Sequence, residues 1–251
     1  MRFMSCGSCL VFVFAVASTC FAWAQSPVVN LMYLERPPYA TNIGGNNKPH
    51  GLLIEPIEKA FQVANIPYRW VEVPVVRQLA VLRSNEDLDC GVGWFYRDQR
   101  KAFSKYSKAF FQDLPTVGIV AKDSTLPGSL KIKDLLTEGK VSWTVMDGFS
   151  YDPYVENLMK EHKITVQVVN GNFGNLVNMI DKNRAMITLL AKQEAQYYAE
   201  QKEFKGRLRI IDFTDVPPGE ARYLICSFKV SDELMEKINK SLQKSHLTVK
   251  K

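Results

Sequence analysis

The feature that most constrains this sequence is an alternation of short, β-branched apolar runs with longer stretches of helical periodicity, and it runs through the chain twice. In the first pass, residues 28–34 read as a strand, and a loop rich in Pro, Gly and Asn follows as far as Lys48. From there Leu53, Ile57, Phe61 and Ala64 return at the spacing of one helical face, and Pro56 falls where a first turn tolerates proline. Residues 68–74 alternate as a strand, Val76, Leu79 and Leu82 mark a second helix, and residues 88–94 a third strand. Parallel strands need long crossovers, which helices supply. This order therefore predicts a parallel-type sheet with helices on its faces.

The pattern then restarts. Residues 117–121, 141–146, 165–169 and 186–190 read as strands, with helical periodicity at 154–160 and 176–183. A helix over 193–203 and a strand over 208–213 follow, and Pro217-Pro218-Gly219 breaks the pattern. A strand over 222–228 and a helix over 231–244 close the chain, with Leu234, Ile238 and Leu242 on one face and Ser231 placed as a cap. One α/β unit inserted in another predicts two lobes joined by two connecting strands. The first lobe takes residues 25–116 and 222–251, the second 117–221. Open α/β sheets bind ligands beyond the carboxyl ends of their strands, so the lobes are expected to face a cleft and to close about a hinge.

The N-terminus carries an address. Arg2, the apolar stretch 9–21 and Ala22-Trp23-Ala24 before Gln25 have the form of a secretory signal peptide over residues 1–24, cleaved after Ala24. An uncleaved anchor and a lipoprotein at Cys20 are the alternatives; Thr19 fits the small residue of lipoprotein processing poorly. Export puts the remaining cysteines, Cys90 and Cys226, in an oxidising compartment, where a disulfide and two buried free thiols both stay open. The net charge of +6 comes with no Lys/Arg block interleaved with aromatics, which argues against nucleic acid as a partner. No C-x-x-C, His-x-His or H-E-x-x-H spacing occurs, so neither a metal nor a cofactor is expected. His50, His162 and His246 lie far apart in polar stretches, with no nucleophile–base pair, and Glu35 is the one carboxylate to watch in the cleft loop.

Several motifs then occur in a fixed order. They are Arg36-Pro37-Pro38-Tyr39, Gly51-Leu52-Leu53-Ile54-Glu55, Leu88-Asp89, and Gly93-Trp94-Phe95-Tyr96-Arg97-Asp98-Gln99-Arg100 followed by Tyr106-Ser107 and Ala109-Phe110. Asp134-Leu135 and Gly148-Phe149-Ser150-Tyr151 complete the set. Together they resemble the bacterial family 3 solute-binding proteins, the periplasmic receptors of polar amino-acid ABC transporters. The resemblance implies a two-lobed periplasmic binding protein fold of type II, with a ligand cleft between lobes joined by two hinge strands. It also implies a monomer in the periplasm that binds a small molecule and serves an ABC permease. Arg100 would grip a ligand carboxylate through a two-bonded fork. Tyr39 and Arg36 belong to the loop that covers the ligand, and Trp94 and Phe95 to the segment lining the cleft. Strand alternation puts Trp94 and Tyr96 on one side and Phe95 on the other. Gly148 and Ser150 stand at the family's anion-binding helix N-terminus, with Asp147 and Asp152 as flanking acids or caps. Arg77 either points into the cleft or is a solvated helix charge. The same fold sets the strands of Cys90 and Cys226 side by side, which makes a bridge feasible.

The departures bear on the ligand. Amino-acid receptors carry an acid for the α-ammonium just after the strand at 186–190, where this chain has Ala191-Lys192-Gln193, with Glu194 set too late. The family's Thr is Arg97. A buried ammonium without an acid is costly, so an anionic ligand, such as an organic acid or an acidic amino acid, is expected. A dehydratase-like enzyme on the same fold and a periplasmic sensor or interaction protein are the alternatives.

Overall fold

The computed structural model describes residues 27–249 apart from 43, 44, 46 and 47, and the expected signal peptide lies outside the described residues. The first sheet contains β1 (Val29–Tyr33), β2 (Tyr68–Glu72), β3 (Asp89–Phe95), β4 (Lys105–Tyr106), β5 (Phe111–Gln112) and β12 (Ala221–Cys226). Its order is β2-β1-β3-β12-β4, with β5 also on β12. Helices α1 (Ile54–Val63), α2 (Val75–Ser84) and α7 (Asp232–Val249) cover it. Alternation along β1 decides which helix each side chain meets. Val29 and Leu31 pack with Ile57 and Phe61 of α1 and Ile238 and Leu242 of α7, whereas Met32 faces Leu82 of α2. The strand is therefore wholly buried, with apolar side chains on both faces and one polar residue, Asn30, which donates to Asp89 at 2.7 Å.

The second sheet holds β6 (Thr116–Ala121), β7 (Ser129–Leu130), β8 (Trp143–Met146), β9 (Val166–Val169), β10 (Ile187–Ala191) and β11 (Leu208–Phe213), in the order β7-β11-β6-β10-β8-β9. Helices α3 (Ile132–Glu138) and α4 (Pro153–Glu161) pack on one face, α5 (Phe173–Asp181) and α6 (Lys192–Glu200) on the other. Two of these helices are opened by the side chains the sequence offers: Asp152 accepts from the Tyr154 amide and Asn172 from the Asn175 amide. In α7, Ser231 likewise accepts from the Leu234 amide at 3.1 Å.

The sheets are mixed, not parallel throughout as the sequence pattern predicts. β12 runs antiparallel to β3, and β6 antiparallel to both β10 and β11. These are the strands that carry the chain between lobes. Each enters its sheet from the cleft side, opposite to the strands fed by helical crossovers. The two crossings lie against one another: the Asp113 amide donates to the Glu220 carbonyl, and Gln112 donates to the Gly219 carbonyl. A Cβ on Gly219 would stand 2.4 Å from the carbonyl oxygens of Asp113 and Leu114, so only glycine lets the crossings approach this closely.

Cys90 and Cys226 sit opposite each other in β3 and β12, their Cα atoms 4.0 Å apart, and are joined by a disulfide. The bond closes a loop with a sequence separation of 136 residues that contains the entire second sheet. Chain-entropy reasoning gives a closure of that length about 5 kcal/mol of stabilisation.

Candidate functional site

The carboxyl end of β3 is shaped by one glycine. Val92 pairs with Leu224 and Trp94 with Tyr223, so Gly93 is an extra residue in its strand, held at φ +83°. This β-bulge resets the alternation of side chains. Trp94 and Phe95 both line the cleft at the strand end, and Tyr96 packs on Tyr106 and Tyr223. Pairing is regular again from Trp94 to Phe95, so the bulge leaves the expected alternation of Trp94 and Tyr96 against Phe95 in place, with Trp94 and Tyr96 both beside Tyr106 and Phe95 under Arg222. The positive φ at 93 favours glycine, and a Cβ there would also displace the end of the Leu53 side chain. Trp94 is fixed by its indole N–H, which donates to Gln78 Oε1 at 3.0 Å.

Beyond β3 a single turn of 3-10 helix, Asp98–Ala102, carries Arg100 back over the strand end. Its guanidinium donates to the Phe95 carbonyl at 2.8 Å and lies 4.7 Å from the Trp94 ring centroid. Asp98, the sequence neighbour that could have paired with it, is engaged by Lys101 at 3.1 Å and by the Tyr96 hydroxyl. Arg100 makes no salt bridge with any described residue, and burial pulls its pKa below the ordinary arginine value. It keeps N–H donors for a ligand.

The other cleft arginines are satisfied by protein carboxylates. Arg222 of β12 donates from Nε and Nη2 to Asp113, at 2.7 Å in the shortest bond, and from Nη1 to the Gly93 carbonyl. Its guanidinium lies over Phe95 at 4.1 Å and Tyr39 at 4.6 Å. Arg97 forks onto Glu220 at 2.6 and 2.9 Å and reaches the Tyr151 carbonyl of the second lobe at 3.2 Å. Arg36, in the loop after β1, crosses the cleft to Glu194 of α6 with two parallel bonds of 2.7 Å. Burial disfavours charge on Arg36 and Arg222, but the facing carboxylates outweigh it and hold both pKa values above the ordinary range.

From the second lobe, the loop after β8 brings Gly148, Phe149 and Ser150 to the cleft. The helix N-terminus behind them does not face a ligand: Asp152 caps α4 and lies buried, so that anion-accepting position is filled by the chain's own carboxylate. Arg77 is exposed and away from the pocket, while Gln78, one residue on and 2% exposed, lines it. Tyr39 is buried at 2% exposure, its hydroxyl accepting from Gln193 Nε2 at 3.1 Å. Burial drives the Tyr151 phenol up to about 12, so it stays neutral.

The space between these residues amounts to about 710 Å³ with its open, solvent-filled mouth included. Its lining contains three arginines (Arg36, Arg100 and Arg222) and no Asp, Glu, Lys, His or Cys. Among the described residues no group of His, Cys, Asp and Glu is placed to hold a metal ion, and no helix is long and apolar enough to cross a membrane.

Glu194 is the residue that sequence reasoning misplaced. β10 passes into α6 without a loop, so Glu194 lies inside the first helical turn and faces inward at 0% exposure with Ala195 and Tyr198. That i, i+1, i+4 spacing was the available signal. Gln78, Asp113, Phe149, Phe173 and Arg222 also belong to the cleft and were not singled out as ligand residues.

Neither a protein-family model nor a curated protein matches the sequence. Solved structures do match the fold. An ancestral arginine-binding protein bound to arginine aligns with a TM-score of 0.69 at 19% identity, over 88% of this chain and 93% of that one. A structure from work on glutathione import via GshT and the cystine ABC importer TcyBC of Streptococcus mutans aligns at 0.71 and 18% identity, over 89% and 91%. The Bordetella pertussis BvgS periplasmic VFT2 domain aligns at 0.68 and 21%, over 88% of each chain. The chain has the two-lobed α/β fold of these proteins.

Proposed function

We propose that this chain is an extracytoplasmic solute-binding protein whose cleft takes a small ligand bearing a carboxylate or a similar anionic group. The observation that carries the reading is Arg100: of the three arginines that line the pocket, Arg36 and Arg222 are paired with Glu194 and Asp113, and Arg100 alone makes no salt bridge. A guanidinium with open, parallel donors suits a planar carboxylate, and partial burial beside Trp94 strengthens the contact by lowering the local dielectric. Ser150 and Gln78 supply neutral polar atoms, and Phe95 and Trp94 apolar faces, for the rest of the ligand.

The signal-like N-terminus and the Cys90–Cys226 disulfide support a periplasmic location, with residues 1–24 removed after Ala24. On this reading the receptor is a monomer that hands its ligand to an ABC permease, and the fold likeness to a structure from work on GshT and a cystine ABC importer supports the permease. A thermal-unfolding screen of mono- and dicarboxylates, acidic amino acids, cationic amino acids and inorganic anions tests the reading. Carboxylates should raise the melting temperature of the wild type, and Arg100→Ala should abolish the rise. No shift with any anion overturns it. The likeness to the BvgS periplasmic VFT2 domain favours a second reading, a periplasmic partner protein without a transport role. Deleting the chain separates them: ligand uptake falls if it feeds a permease and is unchanged otherwise.

A further inference from the structure

We propose that the second lobe carries a guanidinium-binding subsite, formed by Glu194, Phe149 and Phe173, which the chain's own Arg36 fills from across the cleft as a built-in ligand. The Glu194 carboxylate is completely buried, and both hydrogen bonds it accepts come from Arg36, a residue of the other lobe. The wall around it is aromatic. The Arg36 guanidinium carbon lies 3.9 Å from the Phe173 ring centroid and 5.0 Å from that of Phe149, and the two rings meet edge to face at 4.8 Å. Tyr39 completes the cage from the first lobe at 5.4 Å.

Such a wall suits one chemical class. A buried carboxylate with no cation from its own lobe must take one from outside, or lose its charge. The two parallel bonds of equal length require a planar fork, which a guanidinium has and an ammonium lacks. The flat ring faces favour the same weakly hydrated cation. Pairing with Glu194 holds the arginine charged despite its burial. The arrangement is therefore that of a receptor subsite with its ligand bound, except that the ligand is tethered to the opposite lobe.

Two consequences follow. The tether ties the lobes together across the cleft, and it removes Glu194 from the reach of any cargo. A diffusible cation thus finds Glu194 already taken in the wild-type cleft, which deepens the anionic reading above and rests on it for the identity of the cleft as a binding site. Gln193, the neighbour of Glu194, braces the same crossing by donating to Tyr39 at 3.1 Å and to Asp113 at 3.0 Å.

The test empties the subsite and refills it. Arg36→Ala removes what ethylguanidinium restores, two carbons and the planar cation. Millimolar ethylguanidinium should give a saturable rise in the melting temperature of R36A, no rise in the wild type, and none in R36A/E194Q. A folded, disulfide-bonded R36A that responds no better than the wild type overturns the proposal, as does an equal response of the double variant. If R36A does not fold alone, refolding with ethylguanidinium is the readout: recovery of soluble protein only with the cation supports the subsite, and no recovery overturns it. The two readings fail separately. Refilling of R36A in a protein whose wild type ignores every anion would remove the anionic cargo and leave the subsite standing.

Discussion

The two walls of the cleft use the same ion-pair chemistry to opposite effect. The first-lobe wall presents Arg100, stacked on Trp94 and free of salt bridges, whereas the second-lobe wall presents Glu194, already forked onto Arg36. One charge is offered and the other is spent. The difference teaches that the selectivity of such a cleft follows from which charges are left unmatched and not from which are present. Counting charged residues along the sequence gives both signs. Only the pairing leaves a net cationic pocket.

Breaking the spent side should have the largest effect on the fold. Glu194→Ala strands the Arg36 guanidinium in a nearly dry aromatic cage, and losing one partner of such a pair typically costs about 3–5 kcal/mol. Urea unfolding should show it as a lower midpoint with an unchanged slope. On the offered side the effect should move from stability to affinity. Arg100→Ala should weaken carboxylate binding by roughly a hundredfold, the scale of a truncated charge-assisted fork, yet change the unfolding free energy by less than about 1 kcal/mol. Titration calorimetry and melts on the same preparation compare the two, and a large loss of stability with intact affinity would reverse the roles assigned to the walls. Ser150→Ala probes the second lobe's remaining polar contribution, and a lost neutral hydrogen bond predicts about a fivefold drop in affinity, on the order of 1 kcal/mol.

The smallest effect concerns the buried cap beside that wall. Burial raises the Asp152 carboxyl pKa in the folded protein, even though the Tyr154 and Val155 amides pull it down. Between the unfolded and folded pKa values the native state then holds the proton more tightly than the unfolded chain. This contribution is complete below the unfolded pKa and is lost as pH rises through the folded one. Asp152→Asn keeps the helix cap without the titration, so its stability between pH 3 and pH 7 should decline less with rising pH than that of the wild type. Equal slopes in chemical unfolding across that range would remove Asp152 as the source.

Periodicity made the two α/β units and most of their helices legible, because Leu53, Ile57 and Phe61 or Leu234, Ile238 and Leu242 need only their own spacing to declare a buried face. What stayed hidden depends on partners distant in the chain. The Gly93 bulge is set by pairing with β12, so the phase of Trp94 and Phe95 relative to the start of the strand cannot be read from β3 alone. The antiparallel strands β6 and β12 follow from the path between lobes. Arg77 and Gln78 differ by one residue of helical phase, about 100°, which separates a solvated charge from a cleft wall. Glu194 needed both the helix phase and the absence of a loop after β10. Within the candidate site, the sequence identified Arg36, Tyr39, Trp94, Phe95, Arg100, Gly148 and Ser150 as cleft residues by resemblance, and the pocket brings all of them together. It gave no sign of which arginines would already be paired.

The bond between Cys90 and Cys226 lies in the first sheet, yet it encircles the whole second lobe in sequence. A protease that nicks any exposed loop of that lobe therefore cannot release a fragment. The cut chain should migrate as one species on a non-reducing gel and as two after thiol treatment. A single cleavage in the second lobe would thus leave a covalently intact particle, its two ends still moored in the same sheet.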